Sequence, residues 1–282
     1  MRSTPETTGR IWLITGAAAG FGRALAEAVL AEGDTVVATA RQPWTLDGLA
    51  TAHPGRVVAT GLDPADQTRA AAVVDETVRA HGRIDVLVNN SGRGAVGAVE
   101  ETADRELREL MEPHFFGPAA LTRAVLPHMR TRRAGAIVQM SSVGGRFSVA
   151  GLGAYSAAKY ALEGFSEALA QEVAPFGIKV LIVEPGAFDA GFAAGGVLPR
   201  QAPIAAYDAV LSPVMAAPPG GAGADGPAKA ASAVLTALDD ADTPLRLPLG
   251  ADAADTISAG LDRARDELRL WEWLARDTGP SS

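Results

Sequence analysis

The stretch Ile11–Glu32, IWLITGAAAGFGRALAEAVLAE, sets an apolar run, a glycine-rich turn and an alanine- and leucine-rich segment in immediate succession. The run Ile11–Thr15 reads as a strand, and Phe21–Glu32, built of strong helix formers without proline, as a helix. The glycines between them stand at Gly16, Gly20 and Gly22, a Gly-x3-Gly-x-Gly spacing rather than Gly-x-Gly-x-x-Gly. Directly between strand and helix, such glycines permit a tight turn and the close approach of a pyrophosphate to the helix N-terminus. Gly16, Ala18, Gly20, Phe21 and Gly22 are therefore candidate cofactor-binding residues.

Outward from this unit, apolar runs recur at Thr35–Thr39, Arg56–Gly61, Ile84–Asn89, Ala136–Ser141 and Ile178–Glu184, separated by helical stretches. Strands this apolar, alternating with amphipathic helices, predict an α/β fold: a doubly wound parallel sheet with helices on both faces. Pro244–Leu249 (PLRLPL) adds a further strand, and its prolines suit a sheet edge. About seven strands are expected. No linker-like break precedes Gly186, so residues 1–282 read as one domain. Residues 187–226, rich in Pro, Gly and Ala, are too long for an ordinary connection; they read as a lid or as a disordered surface insert. Asp252–Ala275 carries Ile257, Leu261, Ala264, Leu268 and Trp271 along one helical seam. That seam is expected to pack on the chain's own domain, with a subunit contact or pocket cover as the alternative.

The balance of charge narrows the function. A formal net charge of −8 argues against nucleic acid as a partner. Arg130, Arg132 and Arg133 read as the positive end of a helix. The absence of cysteine excludes disulfides and thiol catalysis. His53, His81, His114 and His128 show no metal-ligand spacing. Neither a signal peptide nor a long apolar span is evident, so a soluble, cytoplasmic protein is expected, with no membrane partner.

Chemistry concentrates near residues 136–159. Gly153–Pro175 reads as a long helix, which puts Tyr155 and Lys159, four residues apart, on one face. A fixed positive charge beside a phenol favours the phenolate, so Lys159 is expected to lower the pKa of Tyr155 and make it a general acid or base. Ser142 ends the strand just upstream, where α/β sheets hold their ligands, and could hydrogen-bond a carbonyl oxygen. Elsewhere, the second strand ends at Arg41 with no acid beside it, which suits a 2′-phosphate and favours NADP(H) over NAD(H). Asp63 could accept from an adenine amino group or act as a helix N-cap. Asn89 reads as sheet cement, while Asn90, Ser91 and Gly92 line a cofactor groove. Pro185 and Gly186 close the sixth strand beside the expected nicotinamide position.

Taken together, TGAAAGFG at Thr15–Gly22, NNSG at Asn89–Gly92, Ser142 with YSAAK at Tyr155–Lys159, and PG at Pro185–Gly186 resemble the short-chain dehydrogenase/reductase family over about Arg10 to Gly250. The resemblance implies a Rossmann sheet, NAD(P) binding and hydride transfer between a carbonyl and an alcohol. It assigns Ser142 to hold the carbonyl oxygen and Tyr155 to give or take the proton. Lys159 would contact the nicotinamide ribose and lower the pKa of Tyr155. It also implies a homodimer or homotetramer through the helices holding His114 and Tyr155.

Two departures stand out. His114 occupies the place of the asparagine that holds a water in the family's proton relay, and Pro113 before it should kink the helix. Histidine can change charge between pH 5 and 8, so His114 could alter proton handling. Ala190 replaces a threonine that anchors the nicotinamide carboxamide, leaving Asp189 or a backbone group to substitute. Phe188, a candidate cofactor contact, joins Phe192, Leu198 and Tyr207 as candidate apolar substrate contacts in the loop. The expected activity is NADP-dependent interconversion of a ketone and a secondary alcohol. An NADP-binding protein with little redox turnover, or a non-redox cyclase or isomerase, is the alternative that His114 raises.

Overall fold

The computed structural model describes residues 9–186, 197–198, 200–216 and 226–278. The strands are β1 (Ile11–Thr15), β2 (Thr35–Ala40), β3 (Val57–Gly61), β4 (Val86–Asn89), β5 (Gly94–Ala95), β6 (Gly135–Met140), β7 (Ile178–Pro185), β8 (Val197–Leu198) and β9 (Arg246–Leu249). The helices between and after them are α1 (Gly20–Ala31), α2 (Asp47–Ala52), α3 (Gln67–His81), α4 (Asp104–Met111) and α5 (Gly117–Arg132), then α6 (Gly153–Val173), α7 (Asp208–Ala216), α8 (Gly226–Asp239) and α9 (Ala251–Asp277).

Seven strands form one parallel sheet in the order β3-β2-β1-β4-β6-β7-β9, while β5 and β8 pair separately. The order reverses between β1 and β4, which opens a crevice at the carboxyl ends of the central strands. The edge position expected of Pro244–Leu249 is taken by β9. Every residue of β1 and β2 is buried, as the continuous apolar runs require of a sheet covered on both faces. Alternation splits β1 between two cores. Trp12 and Ile14 pack with α1 and α8 side chains such as Leu25, Val29 and Val234. Leu13 faces the other way, into a core with Val73, Val125 and Met129 from α3 and α5.

Several local expectations are refined. Helix α3 is capped by Asp66, which accepts from the Arg69 N–H at 2.8 Å, so Asp63 is not the N-cap. The bend expected at Pro113 is a π-helical turn, Glu112–Phe116, joining α4 to α5. Proline lacks the N–H that an α-helical bond needs, and the wider turn absorbs the extra residue. Within the long loop, residues 200–216 are ordered as a short turn, Ala205–Tyr207, and α7. Arg200 clasps this segment to the fold: its guanidinium is paired with the buried Glu101 and lies 2.7 Å from Asp208. Glu101 also accepts from the N–H groups of Ala98 and Ile204.

The C-terminal seam packs differently from expectation. In α9 only Ala253, Ile257 and Gly260 are buried, whereas Leu268 and Trp271 are 65% and 55% exposed. The helix outruns the surface it packs on.

Asp34, 5% exposed, ties the start of β1 to the turn before β2. It accepts from the Arg10 N–H at 2.8 Å, from Arg10 Nε at 3.0 Å and from the buried Trp12 indole N–H at 2.7 Å. Asp34→Ala strands those donors, with a loss of about 2–4 kcal/mol expected in chemical denaturation. Glu27→Ala, which removes an exposed pair with Arg23, should cost under about 0.5 kcal/mol. Equal effects of the two would contradict the assignment.

Candidate active site

The crevice above the strand ends is a cavity of about 1730 Å3. Pockets for a single drug-sized ligand span roughly 300–1000 Å3, so this one has room for a dinucleotide and a second molecule side by side.

One half is built by the glycine turn. Gly16 and Gly20 adopt φ of +65° and +58°, which other residues rarely enter. A Cβ at Gly22 would stand 2.5 Å from the Gly16 carbonyl oxygen, so Gly22 lets α1 pack against the turn. Gly20 and Gly22 do not line the cavity; Gly16, Ala18 and Phe21 do. The N-cap of α1 is Ala19, which has no side-chain oxygen to bond the first-turn N–H groups. Those donors and the helix dipole fit a phosphate. Asn90 holds the turn in place, its amide donating to the Thr15 and Gly16 carbonyls at 2.9 and 3.3 Å. Asn89 instead bonds Gln139 of β6 at 2.9 Å, the cementing role expected of it.

Further along, Arg41 is exposed at the end of β2 and lines the cavity beside Gln42 and Thr45. Asp63 lines it too, its carboxylate accepting from the Ala65 N–H at 3.0 Å. Pro185 and Gly186 border the cavity next to Asp252, the second residue of α9, which sequence reasoning missed. Phe188, Asp189, Ala190 and Phe192 lie outside the described residues.

The other half holds the titratable cluster. Strand β6 delivers Ser142 just past its end, and the first two turns of α6 deliver Tyr155 and Lys159. The Tyr155 hydroxyl is hydrogen-bonded with Ser142, and Ser142 Oγ accepts from the Gly144 N–H at 3.1 Å. Lys159 Nζ donates to the Met140 carbonyl at 2.6 Å and lies 5.8 Å from the Tyr155 ring centre. Burial pushes Tyr155 up to about 12, against the hydrogen bond from Ser142 that lowers it. The expected lowering by Lys159 is therefore not realised. Burial also pulls the lysine itself down to about 7, partly offset by Glu163. Both groups favour their neutral forms, because removing a charge from water outweighs attraction to a half-charged neighbour.

His114 belongs to the same cluster. Its ring, 1% exposed, stands edge-on to Tyr155 at 5.4 Å between centres. Nε2 lies 2.7 Å from the Arg93 carbonyl and 3.2 Å from the Arg93 N–H; the first contact suits a proton on Nε2, the second an acceptor there. Nδ1 is buried and has no partner among the described residues. Burial, then the charge of Lys159, holds His114 well below its ordinary value, so the charge change expected near neutrality does not occur. The ring fits because residue 92 is glycine: a Cβ there would sit about 2.5 Å from it.

Behind the cluster is a charge layer that the sequence did not reveal. Glu163 pairs with Arg246 at 3.1 Å, and Glu184 pairs with Arg146 at 3.0 Å. Burial and then Glu163 push Glu184 upward. Glu163 carried a signal, being one helical turn beyond Lys159; the arginines did not. Phe147, Val149, Leu152, Leu198, Val214 and Met215 give the cavity an apolar stretch of wall, alongside charged residues such as Arg93, Glu112 and Arg263. Tyr207 is absent from it, since its hydroxyl donates to Glu100 at 2.5 Å. Among the described residues no group of side chains is arranged to hold a metal, and no helix is long and apolar enough to cross a membrane.

Known proteins resemble the chain over most of its length. A family model for short chain dehydrogenases matches residues 10–196. Oxidoreductase BOA17 of Botryotinia fuckeliana is 38% identical over 271 residues, spanning 91% of this chain and 97% of that one. A 3-ketodihydrosphingosine reductase of Bacteroides thetaiotaomicron is 41% identical over 183 residues, 65% of either chain. The crystal structure of a short-chain dehydrogenase from Streptomyces avermitilis superposes with a TM-score of 0.91 at 51% identity, over 97% of this chain and 100% of that one. Less similar structures differ in cofactor. A metagenomic short-chain oxidoreductase in complex with NADP is 27% identical (TM-score 0.67; 86% and 96% covered). One from Burkholderia phymatum in complex with NAD is 25% identical (TM-score 0.74; 98% and 99% covered). The glycine turn, the Ser142–Tyr155–Lys159 cluster and these matches place the chain in the short-chain dehydrogenase/reductase family, oxidoreductases of alcohol and carbonyl groups.

Proposed function

We propose that the protein is an NADP(H)-preferring reductase or dehydrogenase interconverting a ketone and a secondary alcohol of moderately apolar character. The observation that carries this reading is the meeting of the buried Tyr155 and Lys159 with the half-buried Ser142 in a cavity that also carries the phosphate-fitting turn. The cofactor would rest on Gly16, Ala18 and Phe21, with Arg41 toward its 2′-phosphate and Pro185–Gly186 at its far end. When bound, a nicotinamide supplies or accepts the hydride.

The protein's own groups handle the oxygen and its proton. Ser142 holds the carbonyl oxygen, as its hydroxyl is already fixed by Gly144. Tyr155, with its pKa raised to about 12, keeps its proton at neutral pH and can donate it as negative charge develops on that oxygen. The phenolate so formed is stabilised by Lys159, which is poised near pH 7 and can carry a charge or pass a proton on. The apolar wall from Phe147 to Met215 suits a hydrocarbon body on the substrate. His114 does not move the reading away from redox chemistry: its ring stays neutral, and its buried, unpartnered Nδ1 can still hydrogen-bond a water. The name of the Bacteroides relative, a ketoreductase, supports the same reaction class.

Tyr155→Phe should lower NADPH oxidation by about 10²–10⁴-fold while NADPH binding, measured by fluorescence titration, stays nearly unchanged. Undiminished turnover would sink the assignment. Arg41→Ala should weaken NADPH binding roughly 10- to 100-fold and leave NADH binding almost as it was. Equal losses for both cofactors would remove Arg41 from the 2′-phosphate site.

A further inference from the structure

Helix α9 leaves the body of the fold at Gly260, which lies so close to Phe147 that a Cβ there would be about 2.5 Å from the ring. Beyond it, every residue from Leu261 to Asp277 except the half-buried Glu272 is exposed. At 1.5 Å per residue this overhang projects roughly 25 Å. Along one face Leu261, Ala264, Leu268, Trp271 and Ala275 are spaced three, four, three and four apart, while Leu270, Trp273 and Leu274 are exposed beside it. A mean spacing of 3.5 is that of a coiled-coil seam, which calls for a facing helix.

The charges say which helix. The overhang mixes Arg263, Arg265, Arg269 and Arg276 with Asp262, Asp266, Glu267, Glu272 and Asp277, unlike the Arg/Lys-rich polar face of a membrane-surface helix. We propose that α9 pairs antiparallel with α9 of a second copy, about a two-fold axis midway between Leu268 and Trp271. In that register Leu268 meets the partner's Trp271 and Ala264 meets the partner's Ala275. The flanking Arg265 comes within reach of the partner's Glu272, and the symmetric contact repeats it. Parallel pairing would instead set Glu267 beside the partner's Glu272. At present Arg265 and Glu272 make only exposed pairs within their own helix, with Asp262 and Arg276, which are easily exchanged. The lengths agree as well: the partner's Thr278 falls level with Leu261, so the partner helix ends where the body begins. Asp252, Thr256 and Arg263 of the same helix line the cavity, so pairing braces one wall of the active site. This seam is distinct from the helices holding His114 and Tyr155, through which the family resemblance implies association.

The chain has no cysteine, so introduced thiols report cleanly. Under mild oxidation, full-length protein carrying both Ala264→Cys and Ala275→Cys should run as a covalent dimer without reductant, while each single variant stays uncrosslinked. Adding Arg265→Glu should cut the crosslinked fraction roughly three- to tenfold, and adding Glu272→Arg as well should restore it. Crosslinking by either single variant would mean parallel pairing and overturn the proposal. Absence of crosslinking in the double variant overturns it too, and co-sedimentation of that variant with phosphatidylglycerol vesicles would then assign the face to a membrane.

Discussion

Everything near the active site is arranged around one unfavourable act: burying an ammonium beside a phenol, out of reach of water. Desolvation pulls Lys159 down to about 7 and pushes Tyr155 up to about 12. At pH 7 the phenol therefore keeps its proton, while the amine sits near the midpoint of its own titration. Two contacts offset that burial: the Met140 carbonyl at the end of β6 accepts from Lys159 Nζ, and Glu163 of α6 favours the ammonium. Arg246 of β9 in turn pairs with Glu163.

The same logic explains why His114 fits where the family pattern has asparagine. A π-helical turn carries the residue, glycine at 92 clears room for the ring, and the Arg93 backbone holds its Nε2. Burial beside Lys159 keeps the ring neutral. Three separate local features converge on one imidazole, and together they leave its Nδ1 buried and unpartnered among the described residues.

The layout of the fold was legible because its signals are local. Apolar runs, the Gly16–Gly22 turn and the Tyr155–Lys159 spacing each depend on neighbours within a few residues. Strand ends shifted by a residue or two; Ile84, for instance, is buried but precedes β4. What escaped depends on contacts far apart in the chain. The Arg200–Glu101 clasp spans 99 residues and the Arg246–Glu163 pair 83, and no spacing rule links them. The direction of the Tyr155 shift was misread for a related reason: proximity to Lys159 is visible in sequence, but the depth of burial that dominates it is not. The seam of α9 is expected to pack on the chain's own domain, with a subunit contact or pocket cover as the alternative. Ile257 does pack, whereas Leu261, Leu268 and Trp271 are exposed, since periodicity gives a face but not what lies against it.

The most direct test of the buried-charge account is the pH dependence of stability for the wild type and for Lys159→Met. Lysine in the unfolded chain titrates near ~10.4, above the folded value of about 7. Between those values the unfolded state binds the extra proton, so the wild type should gain stability as pH rises from 7 toward 10. Below pH 7 the cost of the buried charge is borne in full. Lys159→Met should therefore be more stable at pH 6 by on the order of 1–4 kcal/mol, with the gain shrinking above pH 7 and ketone reduction lost. A variant less stable than wild type at pH 6 and pH 9 alike would show that Lys159 is a structural prop, and the account would fall.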